Sequence, residues 1–251
     1  MLKVHRKRYY FAFGSNMLIE QMAERCPTSL FEGTAILHGH RWQINTRGVA
    51  NVVRSREGHW VEGLVFSVYP KDVETLDRKE GVRRGLYEKF ECPVYLDKIF
   101  SGGMEIAQLS LALQAGDNVF SRLRGGIADG LFEPRNKKIL ALVYISPDQN
   151  TGQIREEYAR RMSRAARDAW TVGVSAAYIA RYLRPAIEGT SMTMEPIAKR
   201  HSLGQNERVY GRGPGVYLFR RARSEPTFRE RTRQFKYRWI QPAVERIGAA
   251  R

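Results

Sequence analysis

The sequence predicts an α+β protein in which a small, mixed and mostly antiparallel β-sheet or barrel is flanked by helices. Five short apolar or alternating segments have the length and composition of strands. Segments with helix start and stop signals lie between them. At 251 residues and 43% hydrophobic content, the chain is long enough to bury a sizeable core.

The first three predicted elements are an aromatic strand, a helix and a second strand. Residues 9–13 read Tyr-Tyr-Phe-Ala-Phe, a composition that favours a strand. A helix is predicted over residues 18–25 and ends before Pro27, because proline is incompatible with a helix interior. A single strand is predicted over residues 33–44.

The next two elements are a buried strand and a helix with clear ends. In residues 60–69, both alternating sets of side chains contain apolar residues, which predicts a strand covered on both faces. Pro70 suits the first position of a helix, and Asp72 and Glu74 favour its first turn. Gly81 is expected to end this helix.

Two more strands are predicted over residues 87–96 and 138–145, followed by one or two helices over residues 153–186 that break near Gly173. The intervening residues 98–136 are interrupted by glycines. They are predicted to form a long insertion, with a short helix near residues 104–115. Its role is either a surface excursion or a lid over the site.

The formal net charge is +16, and much of it lies near the C-terminus. Residues 200–251 contain thirteen Lys or Arg residues against four Asp or Glu residues. The expected organisation is a domain over residues 1–199, including the insertion, and a basic C-terminal extension over residues 200–251.

Cys26 and Cys92 are the two cysteines of the chain, too few for a disulfide framework. We therefore expect a reducing compartment. No apolar run approaches the roughly 18 residues needed to span a bilayer, and the N-terminus lacks the apolar region of a secretory signal. The sequence predicts a soluble cytoplasmic protein with no membrane partner. No His, Cys or carboxylate spacing suggests a metal site.

The strand at residues 9–13 runs directly into Gly14, Ser15 and Asn16. These residue types turn sharply and can present consecutive backbone N–H groups to an anion. Gly-Ser-Asn after a strand is also an ordinary turn, so a second signal is needed before the loop is assigned to a site.

The second signal is Leu76-Asp77-Arg78-Lys79-Glu80-Gly81-Val82, with Tyr87 seven residues after Glu80. Together the two segments resemble the gamma-glutamylcyclotransferase family, which has a Tyr-Gly-Ser-Asn loop and a catalytic glutamate in a Leu-Asp-x-x-Glu-Gly-Val stretch. The resemblance implies that Glu80 is the general base and acid. Without it, a glutamate next to Lys79 and Arg83 would be read as a solvated ion-pair partner.

The resemblance also implies substrate-binding residues and covers residues 8–97 and 138–188. Phe13 stands where the family usually has tyrosine, so a hydroxyl is lost there. Gly173 to Ile179 is similar to a Gly-Leu-Pro-x-x-Tyr segment, with Ser175 in place of the proline. The implied substrate-binding residues are Tyr10, Phe11, Ala12, Phe13, Gly14, Ser15, Asn16, Tyr87 and Tyr178. Tyr10 and Phe11 could equally be core aromatics.

The implied reaction is cyclisation of an N-terminal gamma-glutamyl group to 5-oxoproline with release of the amine, a lyase reaction that needs no metal or cofactor. The substrate α-amine is the nucleophile, so the enzyme supplies substrate conformation, a proton shuttle and oxyanion donors. The substrate is a gamma-glutamyl amino acid, glutathione or a glutathione adduct. Long insertions and the segment Arg-Tyr-Leu-Arg-Pro over residues 181–185 look like a fungal branch that processes glutathione adducts.

A competing reading is a non-catalytic or nucleic-acid-binding protein. Its basis is the arginine-rich C-terminal extension, in which residues 220–223 and 229–238 are interleaved with Phe228, Phe235, Tyr237 and Trp239. Basic and aromatic residues in this arrangement are typical of surfaces that bind nucleic acid. A charge run is also common on an ordinary solvated surface.

Overall fold

A computed structural model of the chain describes residues 7–115 and 132–189. The strands are β1 (Arg8–Ala12), β2 (Leu30–His38), β3 (His40–Ile44), β4 (Ala50–Arg54), β5 (Trp60–Val68), β6 (Glu88–Glu105) and β7 (Phe132–Ile145). The helices are α1 (Ile19–Arg25), α2 (Pro70–Glu80), α3 (Ile106–Gln114), α4 (Glu156–Thr171) and α5, which comprises Ala176–Tyr178, the π-helical turn Ile179–Leu183 and Arg184–Ile187. Short 3₁₀ turns lie at Ser15–Met17 and Val82–Arg84.

Five of the strands close into a barrel in the order β1-β5-β2-β6-β7. Neighbouring strands are antiparallel, except that β1 and β7 are parallel, with Tyr10 opposite Leu142. Strands β3 and β4 form a separate two-stranded hairpin. The predicted α+β fold, a mixed and mostly antiparallel barrel with flanking helices, is therefore confirmed.

Strand β5 is buried on both faces, as its sequence predicts. It pairs with β1 on one side and β2 on the other. Val61, Leu64, Val65, Phe66 and Val68 are inaccessible to solvent, and they belong to both alternating sets of side chains. Burial on both faces explains why this strand is nearly continuous in apolar residues.

The prediction of a single strand over residues 33–44 is wrong. Gly39 has φ 70°, a left-handed conformation suited to glycine, and it separates β2 from β3. Its N–H donates to the His59 carbonyl and its carbonyl accepts from Ser55 N–H, both at 2.9 Å. The chain leaves the barrel here, and β3 pairs with β4, a strand that the sequence analysis did not predict.

Helix α2 begins and ends where the sequence predicts. Pro70 is its first residue, and the Asp72 carboxylate accepts from Tyr69 N–H at 3.0 Å in a capping arrangement. Gly81 takes the left-handed conformation, φ 70° and ψ 38°, that commonly ends a helix. Glu80 is consequently the last residue of α2.

The segment over residues 98–136 is more regular than predicted. Strand β6 continues past residue 96 to Glu105, with an irregular register between Leu96 and Lys98. Gly33 makes this path possible, since a Cβ on Gly33 would lie 1.9 Å from the Lys98 carbonyl oxygen. The short helix predicted near residues 104–115 is present as α3. Residues 116–131 lie outside the described residues, so a lid there stays a prediction.

The C-terminal helices break at Gly173, as predicted, where φ is 118°. Helix α4 begins at Glu156, slightly later than the predicted position 153. In the parts of the chain that the structure describes, no helix is both long and apolar enough to cross a membrane. The predicted C-terminal extension over residues 200–251, with its arginine-rich segment, lies outside the described residues, and the proposed boundary at residue 199 stays a prediction.

Candidate active site

A pocket with about 320 Å³ of empty space opens where β1, its following loop and the end of α2 meet. Strand β7, helix α4, the first residue of β4 and the segment before β6 complete its walls. The lining residues are Tyr10, Phe13, Gly14, Ser15, Asn16, Ala50, Glu80, Tyr87, Tyr144 and Tyr158. The two segments singled out in the sequence, the Gly-Ser-Asn loop and the end of α2, therefore meet in one pocket.

The loop after β1 turns tightly against the tyrosine of helix α4. Met17 N–H donates to the Gly14 carbonyl at 2.9 Å and closes a short 3₁₀ turn. A Cβ on Gly14 would lie 3.1 Å from Tyr158 Oη and 3.2 Å from the Ala50 Cβ, so the loop approaches both residues closely. Ser15 N–H donates to Tyr158 Oη at 3.3 Å, a long bond that leaves this donor open to an incoming oxygen.

Asn16 holds the site together with four hydrogen bonds. Its Nδ2 donates to Tyr10 Oη at 2.7 Å and to Glu80 Oε1 at 3.0 Å. Its Oδ1 accepts from Gln21 Nε2 at 2.8 Å and from Arg25 Nη1 at 2.7 Å. Because both groups bonded to Oδ1 are donors, the amide can take only this orientation, with its NH₂ group toward Glu80.

Glu80 presents a largely buried carboxylate to the pocket. Its side chain is 17% exposed and its Oε1 lies 3.6 Å from Arg25 Nη1. Burial raises the Glu80 pKa above its ordinary value, while Arg25 and the Asn16 hydrogen bond oppose that rise. A carboxylate with a raised pKa is suited to take up and release a proton near neutral pH.

Tyr10 and Tyr87 line the pocket as the sequence predicts. The Tyr87 hydroxyl donates to the Ala50 carbonyl at 2.7 Å, and the Arg47 guanidinium lies 4.8 Å from the centre of the Tyr87 ring. Burial is the first cause that raises the pKa of both tyrosines, and the Glu80 charge adds to the rise. Both hydroxyls therefore stay protonated and act through hydrogen bonds.

The pocket does not include Phe11, Ala12 or Tyr178. Phe11 and Ala12 are buried in the core, and strand alternation places Phe11 on the face opposite Tyr10, where its ring crowds Gly63. Tyr178 packs against Tyr182, with ring centres 5.1 Å apart. The structure therefore gives these three residues packing positions outside the pocket.

Three lining residues were missed by the sequence analysis: Ala50, Tyr144 and Tyr158. Tyr144 lies in a strand that was predicted, and Tyr158 lies on an amphipathic helix that was predicted, so their elements were visible in the sequence. Nothing in the local pattern indicates which tyrosines face the pocket. Ala50 begins β4, which was not predicted at all.

Known proteins resemble this chain in sequence. A family model described as gamma-glutamyl cyclotransferase, AIG2-like, matches residues 10–112. A bovine gamma-glutamylcyclotransferase is 30% identical over 95 residues, which are 34% of this chain and 50% of the relative. The human gamma-glutamylcyclotransferase is 27% identical over 165 residues, 59% of this chain and 84% of the relative. Residues 10–112 of the chain are therefore similar to the gamma-glutamyl cyclotransferase, AIG2-like family.

The chain spans about half the length of the bovine relative that it matches and more of the human one. A solved structure named gamma-glutamyl cyclotransferase has a TM-score of 0.50 at 18% identity, over 80% of this chain and 95% of the other. A crystal structure of a human protein described as uncharacterized has a TM-score of 0.50 at 19% identity, over 79% and 94%. These likenesses show the gamma-glutamyl cyclotransferase fold.

The family match includes most of the predicted site. Tyr10 to Asn16, Glu80 and Tyr87 lie inside the matched residues 10–112, whereas Tyr144 and Tyr158 lie beyond them. Within residues 7–115 and 132–189, no three His, Cys, Asp or Glu side chains cluster as metal ligands do. Membership of the fungal branch stays a prediction.

Proposed function

We propose that the chain is a gamma-glutamylcyclotransferase that converts an N-terminal gamma-glutamyl group to 5-oxoproline and releases the attached amine. The proposal rests chiefly on Glu80, a largely buried carboxylate bonded to Asn16 in the pocket below the Gly14–Asn16 loop. The family match agrees with that assignment. Gamma-glutamyl amino acids, glutathione and glutathione adducts are the candidate substrates.

In the proposed reaction, Glu80 first takes a proton from the substrate α-ammonium. The free amine then attacks the side-chain amide carbon, and a new C–N bond closes the five-membered ring. The carbonyl oxygen carries the negative charge of the tetrahedral intermediate. Protonated Glu80 gives its proton to the leaving nitrogen, and the original C–N bond breaks. The regenerated carboxylate then takes the second proton from the ring nitrogen and passes it to the departing amine, so 5-oxoproline and the protonated amine are released.

Donors for the substrate oxygens come from β1 and the loop after it. Ser15 N–H reaches its present partner, Tyr158 Oη, only at 3.3 Å, so a substrate oxygen can share it. The phenol proton of Tyr10 adds a second candidate donor, because Tyr10 Oη accepts from Asn16 and keeps that proton free for another partner. Donors fixed in advance stabilise a developing oxyanion without reorganisation during the reaction.

The test is release of 5-oxoproline by the full chain. We expect release from at least one of glutathione, gamma-glutamyl-alanine and a glutathione S-conjugate, each measured with and without EDTA. Activity should be the same in EDTA, since proton transfer by Glu80 requires no metal. Absence of 5-oxoproline with all three substrates would refute the proposal. Loss of activity in EDTA, restored by a divalent ion, would refute the metal-free mechanism.

Replacing Arg25 should change the pH dependence. Arg25 lowers the Glu80 pKa, so Arg25→Met should raise that pKa further. Because the proton acceptor is the ionised carboxylate, the acid limb of a plot of kcat/KM against pH should move to higher pH. Arg164→Met is the matched control, since Arg164 is an exposed arginine paired with Glu20. An acid limb that stays in place for Arg25→Met, or moves to lower pH, would contradict the assignment of that limb to Glu80.

A further inference from the structure

The tyrosine hydroxyls of the pocket differ in whether they already donate their proton in a hydrogen bond to another group of the protein. Tyr144 Oη donates to Asp77 Oδ1 at 2.6 Å, and Lys89 Nζ lies 2.6 Å from the other oxygen of the same carboxylate. Tyr87 Oη donates to the Ala50 carbonyl at 2.7 Å. The Asp77 carboxylate, which also binds Lys89, and the Ala50 carbonyl can only accept hydrogen bonds, so both phenol protons are already donated and are not available to a ligand.

Tyr144 and Tyr87 can therefore offer only oxygen lone pairs to a ligand. Each phenol has a single proton, and once it is donated the oxygen acts toward other groups as an acceptor. Glu80 is a third acceptor in the same pocket. An ammonium group carries three N–H donors and no acceptor, so it is the substrate group that fits this part of the pocket.

Tyr144 is better placed than Tyr87 to receive an ammonium. The Arg47 guanidinium stacks over the Tyr87 ring at 4.8 Å, and its charge repels a second cation. The lysine near Tyr144 is neutralised by Asp77, which lies between them. The Tyr144 ring also stands edge-on to Tyr10 with centres 5.8 Å apart, and Tyr10 is joined to Glu80 through Asn16.

We infer that Tyr144 binds the α-ammonium of the substrate through its hydroxyl oxygen, and that Asp77 is the positioning residue that keeps the Tyr144 proton turned away. The inference rests on the proposed function. One ammonium N–H points to Tyr144, and a second points to Glu80 and is the proton transferred. The Asp77–Lys89 pair therefore determines that the Tyr144 hydroxyl acts as a hydrogen-bond acceptor toward the substrate, although neither residue lines the pocket.

The test uses two ligands that differ only in the amine. Gamma-glutamyl-alanine and glutaryl-alanine, in which hydrogen replaces the α-amine, are titrated by calorimetry into the full chain carrying Glu80→Gln, which prevents turnover. Adding Tyr144→Phe should weaken gamma-glutamyl-alanine binding about 10- to 100-fold, as expected for a hydrogen bond to a charged group. Glutaryl-alanine binding should change by less than about threefold. Equal weakening of both ligands, or of neither, would overturn the inference.

A kinetic measurement in the otherwise unchanged chain separates this role from a structural one. Tyr144→Phe should raise KM for gamma-glutamyl-alanine more than it lowers kcat, because the lost bond exists already in the bound substrate. Asp77→Asn should act in the same direction and more weakly, since it frees the Tyr144 proton but keeps the oxygen. Tyr95→Phe, which removes a hydroxyl from a ring that packs on His38, should leave both constants unchanged.

The two proposals fail in different ways. If the unmutated chain releases no 5-oxoproline, the proposed function fails. If it does release 5-oxoproline, but Tyr144→Phe lowers kcat with KM unchanged, only the inference about the ammonium fails.

Discussion

Glu80→Gln is expected to leave the chain folded and able to bind a gamma-glutamyl substrate, yet to lower 5-oxoproline release by about 10²–10⁴-fold. Glutamine keeps the shape of the side chain and an oxygen that can accept from Asn16 Nδ2, which now lies 3.0 Å from Glu80 Oε1. It cannot take a proton from an ammonium, so the substrate amine stays protonated. The measurement is the rate of 5-oxoproline release, with thermal unfolding of both proteins measured alongside.

Glu88→Gln is the matched control for this variant. Glu88 is an exposed glutamate at the start of β6 and does not line the pocket. The same change of charge at that position should cost little activity. If Glu80→Gln keeps activity close to that of Glu88→Gln, the carboxylate is not the proton shuttle and the mechanism has to be abandoned.

Gly14→Val is expected to reduce activity by about 10²-fold or more, since displacement of a substrate by about 1 Å can cost that much. A Cβ at this position would already lie 3.1 Å from Tyr158 Oη and 3.2 Å from the Ala50 Cβ. The two further methyl groups of valine must therefore displace the loop or occupy the pocket. Activity and substrate affinity should both fall in a steady-state assay, while unfolding measurements report how much of the fold is kept.

Met17→Leu tests whether the loss is specific to the pocket. Met17 is fully buried three residues further along the same turn, and a volume-conserving change there should cost less than about 1.5 kcal/mol of stability with little loss of activity. Ser15→Pro, which removes the N–H that reaches Tyr158, should resemble Gly14→Val. Similar activity in all three folded variants would show that the loop is not part of the site.

Local sequence signals were sufficient for the parts of the site that depend on neighbouring residues. The helix between Pro70 and Gly81 is determined by its end residues, so the position of Glu80 at its C-terminus could be predicted. The loop from Gly14 to Asn16 follows an aromatic strand for the same kind of reason. The resemblance to a known family then linked the two segments, which are more than sixty residues apart in the chain.

The separation of β2 from β3 is a feature that could not be predicted from the local residue pattern. Apolar residues continue across Gly39, and the pattern of residues 33–44 therefore reads as one strand. The break depends on bonds from Gly39 to His59 and Ser55, residues that are distant in sequence. Periodicity reports which residues are buried, but it does not say which partner strand buries them.

The fold class, the helix that carries Glu80 and the loop that faces it could all be predicted from the sequence, because caps, turns and alternation act over a few residues. The three-dimensional packing was needed to show which tyrosines complete the pocket: Tyr144 and Tyr158 line it, whereas Tyr178 packs against Tyr182. Tertiary contacts also fix the orientation of the Asn16 amide, through Gln21 and Arg25, and the direction in which the Tyr144 hydroxyl donates its proton, through Asp77. These features depend on contacts between segments that meet only when the barrel closes, and no local pattern specifies them.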